Sequence, residues 1–346
     1  MIMYLKSSIS ISLLNGCIHN CGYCILSSLP ERNGIKIDKQ TAKELIEKLL
    51  QYKFYSPNVP ITVNNISEPF SNEQAFNCTL DILKALNNRR IKNPVVVITK
   101  GYLSCEQVEE LSSFSLNLIV VYSFCGMTER IEHLDRSRQI KTIQCLSQSD
   151  SIKLIHYWRP IIDGINNDAE TLSYVSEIST KYFLCSVISG LRLNSYIREK
   201  LEKMGYVLTF PYDADHKIIS EDTYNKAVLF SNRRGAFPCF RKTSCAISYL
   251  LGHEDYNGYA KKNQFCSSQC ANYFNCFKSP YIPTEAAIQS LLNIVGVTFP
   301  FEHTIEKIHI HGALTQEQLS FLRHNTKTPV ISDIVLPSNN NEILSQ

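Results

Sequence analysis

The chain has 346 residues, longer than most single domains, so we expect one large domain with an appendage, or two domains. Its 44% hydrophobic and 19% charged residues are typical of a globular protein, and a net charge of +3 does not by itself indicate a nucleic-acid or membrane partner. No apolar run of about 18 residues occurs, so we expect no transmembrane helix, no membrane partner and a cytoplasmic location.

Thirteen cysteines are many for this chain, and they are unevenly distributed. A secreted disulfide scaffold is short and cysteine-dense throughout, whereas this chain is long and has well-formed apolar segments. Three cysteines fall within eight residues near the N-terminus and five fall between residues 239 and 276, which indicates two metal sites. The cysteines that occur singly are predicted to be buried small hydrophobic residues: Cys78, Cys105, Cys125, Cys145 and Cys185.

Six short apolar runs alternate with six amphipathic stretches between residue 8 and about residue 205. The runs have the length and composition of strands and cover residues 8–14, 60–65, 94–99, 117–123, 152–158 and 182–188. The stretches with helical periodicity cover residues 41–52, 72–88, 106–114, 130–147, 168–180 and 195–204. This order predicts an α/β fold with a parallel sheet, either open and doubly wound or curved into a partial barrel. Functional groups should then gather at the carboxyl ends of the strands.

The composition changes after about residue 210. Residues 231–280 are rich in cysteine and aromatic residues, carry seven Lys or Arg against two Asp or Glu, and contain no long helical pattern. The elements predicted beyond them are a helix over 284–295, a strand over 307–310, a helix over 316–324 and an Asn-rich tail. The expected domains are a main domain over 1–210, a cysteine-rich C-terminal extension over 211–280 and a small α/β extension over 281–346.

The N-terminal cysteines read Cys17-Ile-His-Asn-Cys21-Gly-Tyr-Cys24, directly after the first predicted strand. Three thiolates with these spacings can hold a four-iron four-sulfur (4Fe-4S) cluster and leave its fourth iron without a protein ligand. That open position suits a small chelating molecule, such as the amino and carboxylate groups of a methionine. The alternatives are a zinc site that uses His19 as its fourth ligand and chance clustering.

This motif resembles the signature of the radical S-adenosylmethionine (SAM) superfamily, in which an aromatic residue precedes the last cysteine. The resemblance implies a partial (β/α)6 barrel, a catalytic 4Fe-4S cluster on Cys17, Cys21 and Cys24, bound SAM, and Tyr23 packed near the adenine of SAM. It also implies an external reductant such as a flavodoxin or ferredoxin. The later strand ends read Thr99-Lys100, Arg159-Pro-Ile-Ile-Asp-Gly-Ile-Asn166 and Gly190-Leu-Arg192. This pattern looks most similar to the subgroup that includes spore photoproduct lyase and photolyase-like proteins.

Further SAM-binding positions follow from the same resemblance. Glu68, Asn65 and Ser67 occupy the segment that meets the methionine amino group, although the two glycines usual in the family are absent here. Ser123 ends the fourth predicted strand and faces ribose or carboxylate in relatives. The loop after the fifth strand is similar to one that cradles adenine, and it contains Gly164 and Asn166. Arg159 in the same segment is predicted either to pair with the SAM carboxylate or to form a structural ion pair.

The second cysteine group comprises Cys239, Cys245, Cys266, Cys270 and Cys276. Its spacers of five, twenty, three and five residues lack the tight pairs that zinc prefers, so we predict an auxiliary iron–sulfur cluster, with zinc as the alternative. Five cysteines exceed four ligands, and we predict Cys245, Cys266, Cys270 and Cys276 to bind the metal, with Cys239 as a substitute or spare ligand. The basic and aromatic residues nearby suit either nucleic-acid contact or shielding of a cluster.

His309 and His311 share one face of a predicted strand, with His324 further along the chain. Because the predicted strand over 307–310 contains no carboxylate or cysteine beside them, they do not favour a metal site. The leading hypothesis is therefore a radical SAM enzyme that abstracts hydrogen from a nucleic acid or nucleotide. A peptide-modifying maturase is the runner-up, and a zinc-stabilised nucleic-acid-binding protein without catalysis is the alternative from another class.

Overall fold

A computed structural model describes residues 1–28, 34–208, 217–262, 266, 269–277 and 281–337. Its main sheet has eight strands, numbered in chain order, and the neighbours pair in parallel except at β1–β2. In spatial order they are β1 (Ile2–Tyr4), β2 (Ile9–Ile11), β5 (Ile61–Val63), β6 (Val95–Thr99), β7 (Leu118–Ser123), β8 (Lys153–Ile161), β9 (Cys185–Gly190) and β10 (Cys239–Phe240). The predicted parallel sheet is confirmed, and β1 and β10 extend it at its two edges.

A helix follows each inner strand. In the strand–helix series these are α1 (Ala42–Leu50), α2 (Glu73–Asn88), α3 (Cys105–Ser112), α4 (Glu129–Glu132), α5 (Arg136–Ser147), α6 (Ala169–Tyr182) and α7 (Ser195–Lys203). Side-chain caps define several starts: Thr41 and Ser104 form capping boxes, and the Asp168 carboxylate accepts from the amide of Thr171.

The single helix predicted over 130–147 is wrong. The chain breaks at His133, which adopts a left-handed conformation (φ 55°) and ends α4, and Asp135 then caps the start of α5. This break matters for the site, because α4 carries Glu132 into the protein interior.

The two faces of the sheet are covered differently. Alternate residues such as Val95 and Val97 belong to a large core beneath the crossover helices, whereas Val96 faces a smaller core on the opposite side. Helix α9 (Thr243–Leu250) supplies Ala246 and Ile247 to that smaller core. The cysteine-rich region therefore packs directly on the sheet face that the crossover helices leave open.

The C-terminal part forms a second, three-stranded sheet with its own helices. Its elements are α11 (Glu285–Val295), β11 (Phe301–His303), β12 (Ile308–Thr315), α12 (Gln316–Thr326) and β13 (Val330–Leu336). Two further helices precede them: α8 (Glu221–Ser231), which packs against α6 and β9, and α10 (Tyr273–Phe277). The predicted helices at 284–295 and 316–324 are confirmed, and the predicted strand extends to Thr315. His324 is a buried core residue whose Nδ1 lies 3.0 Å from the Tyr4 hydroxyl, which ties α12 to β1.

Two of the single cysteines are not isolated hydrophobic residues. Cys105 and Cys145 form a disulfide that joins α3 to α5, which corrects the prediction for this pair. Cys78, Cys125 and Cys185 are buried free thiols, as predicted. The short hairpin β3 (Leu14–Asn15) and β4 (Lys36–Ile37) flanks the N-terminal cysteines. None of the helices in the described ranges combines the length and apolar character needed to span a bilayer.

Candidate active site

The N-terminal cysteines lie at the carboxyl edge of the parallel sheet. Gly16 has a positive φ of 86° and forms a parallel bridge with Ser67, so the cysteine loop runs beside the segment that follows β5. Cys21 is buried, while Cys17 and Cys24 are partly exposed. The structure therefore brings the three predicted ligands next to the predicted SAM-binding segment.

The electrostatics of these thiols fit metal binding. The His19 amide donates to Cys17 Sγ at 3.4 Å, and the Lys100 ammonium lies 4.0 Å from Cys21 Sγ. Burial raises the pKa of Cys17 to about 11 and that of Cys21 to about 12, although Lys100 acts against the shift at both. Both are therefore thiols at neutral pH, and bound iron must displace their protons. Three sulfur donors near an amide and a cation match the chemistry of a 4Fe-4S cluster held by three cysteines.

A buried network that is not evident from the sequence supports the cysteine loop. The Lys100 ammonium forms a 2.9 Å salt bridge with Glu132 and contacts the Tyr23 hydroxyl, which also donates to Glu132. The Cys21 thiol lies 3.3 Å from the backbone carbonyl of Glu132. Tyr23 is thus anchored by an ion pair that joins β6 to α4. These residues come from three distant parts of the chain, so no local motif reveals the contact.

The Lys100–Glu132 pair gives a stability prediction. Replacing Glu132 with alanine leaves the Lys100 charge buried without this carboxylate, and we expect the free energy of unfolding of cluster-free protein to fall by about 3 kcal/mol. Urea unfolding at pH 7 measures the effect. Glu129→Ala, on the exposed side of α4, is the matched control and should change stability by less than about 0.5 kcal/mol. A Lys100→Met/Glu132→Leu variant should recover most of the loss, and a Glu132→Ala protein as stable as the control would contradict this assignment.

Glu68 is buried and held by three hydrogen bonds. Its Oε1 accepts from the Thr99 hydroxyl and from the Phe70 amide at 3.3 Å, and its Oε2 accepts from the Lys100 amide at 3.0 Å. Burial raises the pKa of Glu68, and these donors offset part of that rise. A carboxylate oxygen can accept two hydrogen bonds, so Oε2 keeps one acceptor position for a ligand. Ser67 donates to the Asn64 carbonyl at 2.9 Å, and the neighbouring Asn65 is partly exposed.

The other predicted SAM-binding residues lie around the end of β8. The Ser123 hydroxyl donates to the Arg159 carbonyl at 3.1 Å, which joins β7 to β8. Asn166 is buried, and its side chain makes three hydrogen bonds within the site. Its Oδ1 accepts from the Ile162 amide, and its Nδ2 donates to the carbonyls of Cys125 and Pro160, so the side chain shapes the loop. Gly164 has a positive φ of 81° and is exposed at the tip of that loop.

The second cysteine group lies around a buried carboxylate, and four of its five thiols are close enough to interact electrostatically. Cys245 interacts with Cys266, Cys270 and Cys276, and its Sγ lies 3.8 Å from Asp255 Oδ1. Burial raises the pKa of Cys266 and Cys276 to about 11. We call Cys245, Cys266, Cys270 and Cys276 the auxiliary cysteines.

Cys239 is not among the thiols that interact with Cys245, although it shares Tyr224 with Cys270 as an electrostatic neighbour. It lies in β10 beside β9, it interacts with Cys185, and a hydrogen bond from the Ser231 side chain lowers its pKa against the larger effect of burial.

Comparison with known proteins gives matches in structure and none in sequence. No protein-family model matches the chain, and no curated protein matches it by sequence. A cysteine-to-alanine variant of spore photoproduct lyase with a dinucleoside spore photoproduct aligns over 70% of this chain and 79% of that chain, at 12% identity and a TM-score of 0.51. The chain therefore shares the fold of spore photoproduct lyase over the aligned part. SuiB from Streptococcus suis bound to SAM aligns over 75% of this chain and 56% of that chain, at 12% identity and a TM-score of 0.44.

The end of β8 carries a cationic group of which the sequence indicates Arg159 but not Lys217. The Arg159 guanidinium donates to the Tyr157 hydroxyl at 2.7 Å, and the Lys217 ammonium lies 3.4 Å from the same oxygen. Thr243, the first residue of α9, also hydrogen-bonds to this phenol. Burial alone would raise the pKa of Tyr157, but Arg159 and Lys217 lower it from an ordinary value of about 10 to about 7.

We expect one tyrosine to titrate near neutral pH because of this cationic group. In cluster-free protein with ¹³Cζ-labelled tyrosine, one NMR signal should titrate with a pKa of about 7 and be absent from Tyr157→Phe. The pKa of Tyr157 is lower in the folded protein than in the unfolded protein, so ionised Tyr157 stabilises the fold. The free energy of unfolding of the wild type, relative to Tyr157→Phe, should therefore increase as pH rises from 7 to 10, and this difference should be lost as pH falls through 7. Arg159→Gln should move the titration upwards, and a Tyr157 signal unchanged below pH 9 would contradict the assignment.

Proposed function

We propose that this protein is a radical SAM enzyme that cleaves SAM reductively and abstracts a hydrogen atom from a nucleic acid or nucleotide. The observation that carries the proposal is the position of Cys17, Cys21 and Cys24 at the carboxyl edge of a parallel sheet, beside Glu68 and Lys100. A 4Fe-4S cluster held by these cysteines would supply the electron that converts SAM to methionine and a 5′-deoxyadenosyl radical.

The protein's own residues would bind and orient SAM around that site. The spare acceptor position on Glu68 suits the methionine amino group, with Asn65 and Ser67 in the same segment. Arg159, which Ser123 anchors through its carbonyl, suits a carboxylate. Tyr23 is proposed to flank the adenine.

The loop that contains Gly164 and Asn166 would complete the adenine site. The side-chain hydrogen bonds of Asn166 hold the loop backbone in place for contact with the base. Lys100 would offset negative charge at Cys21.

The finer fold that we propose is a partial barrel of six strand–helix units with a cysteine-rich C-terminal extension. Packing of α9 on the open face of the sheet supports this arrangement, because that face would be the inside of the barrel. The proposed division into 1–210, 211–280 and 281–346 has boundaries beside residues outside the described ranges. The Asn-rich tail also lies largely outside them.

The auxiliary cysteines are proposed to hold a second iron–sulfur cluster, with zinc as the alternative. Grouping of Cys266, Cys270 and Cys276 around Cys245 supports one metal centre. Its position next to α9, whose first turn contacts Tyr157, would let it anchor substrate or pass electrons at the open face of the sheet.

The cationic group at the end of β8 supports an anionic substrate such as a nucleotide. Burial is the main cause that lowers the pKa of Lys217, and the charges of Arg159 and Lys242 lower it further. Lys217 is therefore within electrostatic range of two other cations. Several other basic side chains of the region are already engaged, including Arg241 with Glu221 at 2.6 Å and Arg234 with Glu177 at 2.9 Å. The phosphate contact is proposed at Lys217, beside Arg159, which is assigned to the SAM carboxylate. The spore photoproduct lyase structure holds a dinucleoside lesion, which agrees with this substrate class.

Cys125 adds a feature that suits radical chemistry. Its thiol follows β7, is buried in the large core, and lies within electrostatic range of Lys100 and Cys21. A thiol at that place can donate a hydrogen atom to a substrate radical. A peptide-modifying maturase remains the second candidate, because the auxiliary cysteines also suit that class.

Anaerobic reconstitution with iron and sulfide tests the proposed reaction. With dithionite, or with a flavodoxin or ferredoxin as the cytoplasmic reductant, the protein should release 5′-deoxyadenosine and methionine from SAM. Tightly bound zinc without iron, and no SAM cleavage, would replace this proposal by a zinc-stabilised nucleic-acid-binding protein.

Binding of DNA and RNA oligonucleotides at low and high salt tests the substrate class, since phosphate contacts weaken as salt rises. A deuterated substrate should then transfer deuterium to 5′-deoxyadenosine. Cleavage of SAM without any nucleic-acid binding at low salt would favour a peptide substrate.

A further inference from the structure

The three strands of the C-terminal sheet bring two histidines and two carboxylates to one face. His309 and His311 alternate along β12 and so point the same way. Glu302 of β11 pairs directly with His309, and Asp333 follows two residues after Ile331, the partner of His309 in β13. Strand pairing therefore supplies the carboxylates that the local sequence around the histidines lacks.

The polar atoms of this group lie at distances that suit one small cation. One nitrogen from each histidine and one oxygen of Glu302 all lie within 4.8 Å of one another. The His311 Nε2 is 3.4 Å from Glu302 Oε1. Donor atoms arranged tetrahedrally around zinc at about 2.0–2.1 Å are roughly 3.3 Å apart, so small shifts bring these three atoms to coordination distance.

Asp333 has the position of an orienting group. Its Oδ1 lies 2.7 Å from His309 Nε2 and 3.9 Å from His311 Nδ1. A metal-binding histidine commonly donates its second ring nitrogen to a carboxylate, which fixes the ring and its tautomer. When His309 Nε2 donates to Asp333, its Nδ1 keeps the lone pair that a metal needs.

We propose that Glu302, His309 and His311 bind one divalent transition-metal ion, with zinc as the expected ion, and that Asp333 orients His309. Two imidazoles and one carboxylate are typical zinc ligands, and three protein ligands leave a fourth position for water. Partial exposure of both histidines, 26% and 38%, leaves the ion a route from solvent.

The proposed site is independent of the cysteine sites in both place and ligand chemistry. It uses nitrogen and oxygen donors on β11 and β12, whereas the proposed clusters use sulfur. An ion there would join β11 to β12, and through Asp333 it would hold β13. The alternative reading is a network of hydrogen bonds and ion pairs that binds no metal.

Metal titration of the full chain after iron–sulfur reconstitution distinguishes the two readings, because the cysteine sites are then occupied. Zn²⁺ should bind in one additional equivalent and raise the midpoint of thermal unfolding. Co²⁺ should give ligand-field bands without the thiolate charge-transfer band. His309→Ala and His311→Ala should each weaken binding about 100-fold, and Asp333→Asn about 10-fold.

Matched controls lie in the same hairpin. His303 follows Glu302 and so faces the opposite side of β11, and Glu306 is exposed in the turn between β11 and β12. His303→Gln and Glu306→Gln should bind Zn²⁺ as the wild type does, whereas Glu302→Gln should not. Equal zinc binding by wild type and a His309→Ala/His311→Ala double variant would overturn the proposal, as would thiolate bands in the Co²⁺ spectrum.

Discussion

Replacing Cys17, Cys21 or Cys24 with alanine should abolish SAM cleavage. We expect the rate of 5′-deoxyadenosine formation to fall by at least about 1000-fold, to background, because two thiolates cannot hold a cluster that also presents an open iron. Iron content should fall by about four atoms per chain. Because burial raises the pKa of Cys17 and Cys21 to about 11 and 12, cluster loading in the wild type should be faster at pH 8.5 than at pH 6.5.

The matched control is Cys78→Ala. Cys78 is also a free thiol, buried in α2 within the core beneath the crossover helices. Its replacement should reduce stability modestly and leave iron content and SAM cleavage unchanged. Quantitative iron analysis and chromatography of the products on all four variants provide the measurement. A Cys21→Ala protein that keeps its iron and cleaves SAM would contradict the proposed catalytic site.

The parallel sheet could be predicted because each inner strand is a short apolar run with turn residues on both sides. The run at 94–99 became β6 (Val95–Thr99) with nearly the predicted bounds. Strands β1 and β10 could not be predicted in this way. They have three and two residues, too few to show alternation, and their pairing with β2 and β9 depends on how the rest of the chain folds.

The break between α4 and α5 shows a second limit. Both segments have helical composition, and the signal that separates them is Asp135, whose side chain accepts from the amides of Ser137 and Arg138. Asp135 is a capping residue that can be read from the sequence. The helical pattern continues across it, so the pattern alone predicts a single helix over 130–147. The consequence is functional, since His133 ends α4 immediately after Glu132.

The candidate site divides in the same way between local and long-range information. Cys17, Cys21 and Cys24 could be found because their spacing is itself the signal. Lys100 and Glu132 stabilise that motif from β6 and α4, and no spacing rule links residues so far apart. The predicted strand around His309 contains no carboxylate. Pairing of β11 and β13 with β12 places two carboxylates, Glu302 and Asp333, beside this histidine. Contacts made by strand pairing are therefore the part of a site that a single sequence conceals.

The auxiliary cysteines should behave as one ligand set that excludes Cys239. We expect alanine at any one of them to remove the second metal centre, which means a loss of about four irons per chain, or of one zinc if zinc is the native metal. The physical reason is that Cys245 interacts electrostatically with the other three thiols. Cys239 instead interacts with Cys185 and accepts a hydrogen bond from Ser231 at the edge strand β10. Metal analysis of each variant, together with its thermal unfolding, measures the effect.

Cys239→Ala is the matched control, because it removes a thiol of similar burial from the same region and should keep the full metal content. Cys270→Ala should also lower the unfolding midpoint, since the metal joins α9 to the segment around α10. Equal metal loss in both variants would place Cys239 among the ligands. Retention of metal by Cys270→Ala would show that the grouping around Cys245 is a packing arrangement, and the substrate-anchoring role proposed for it would then lose its basis.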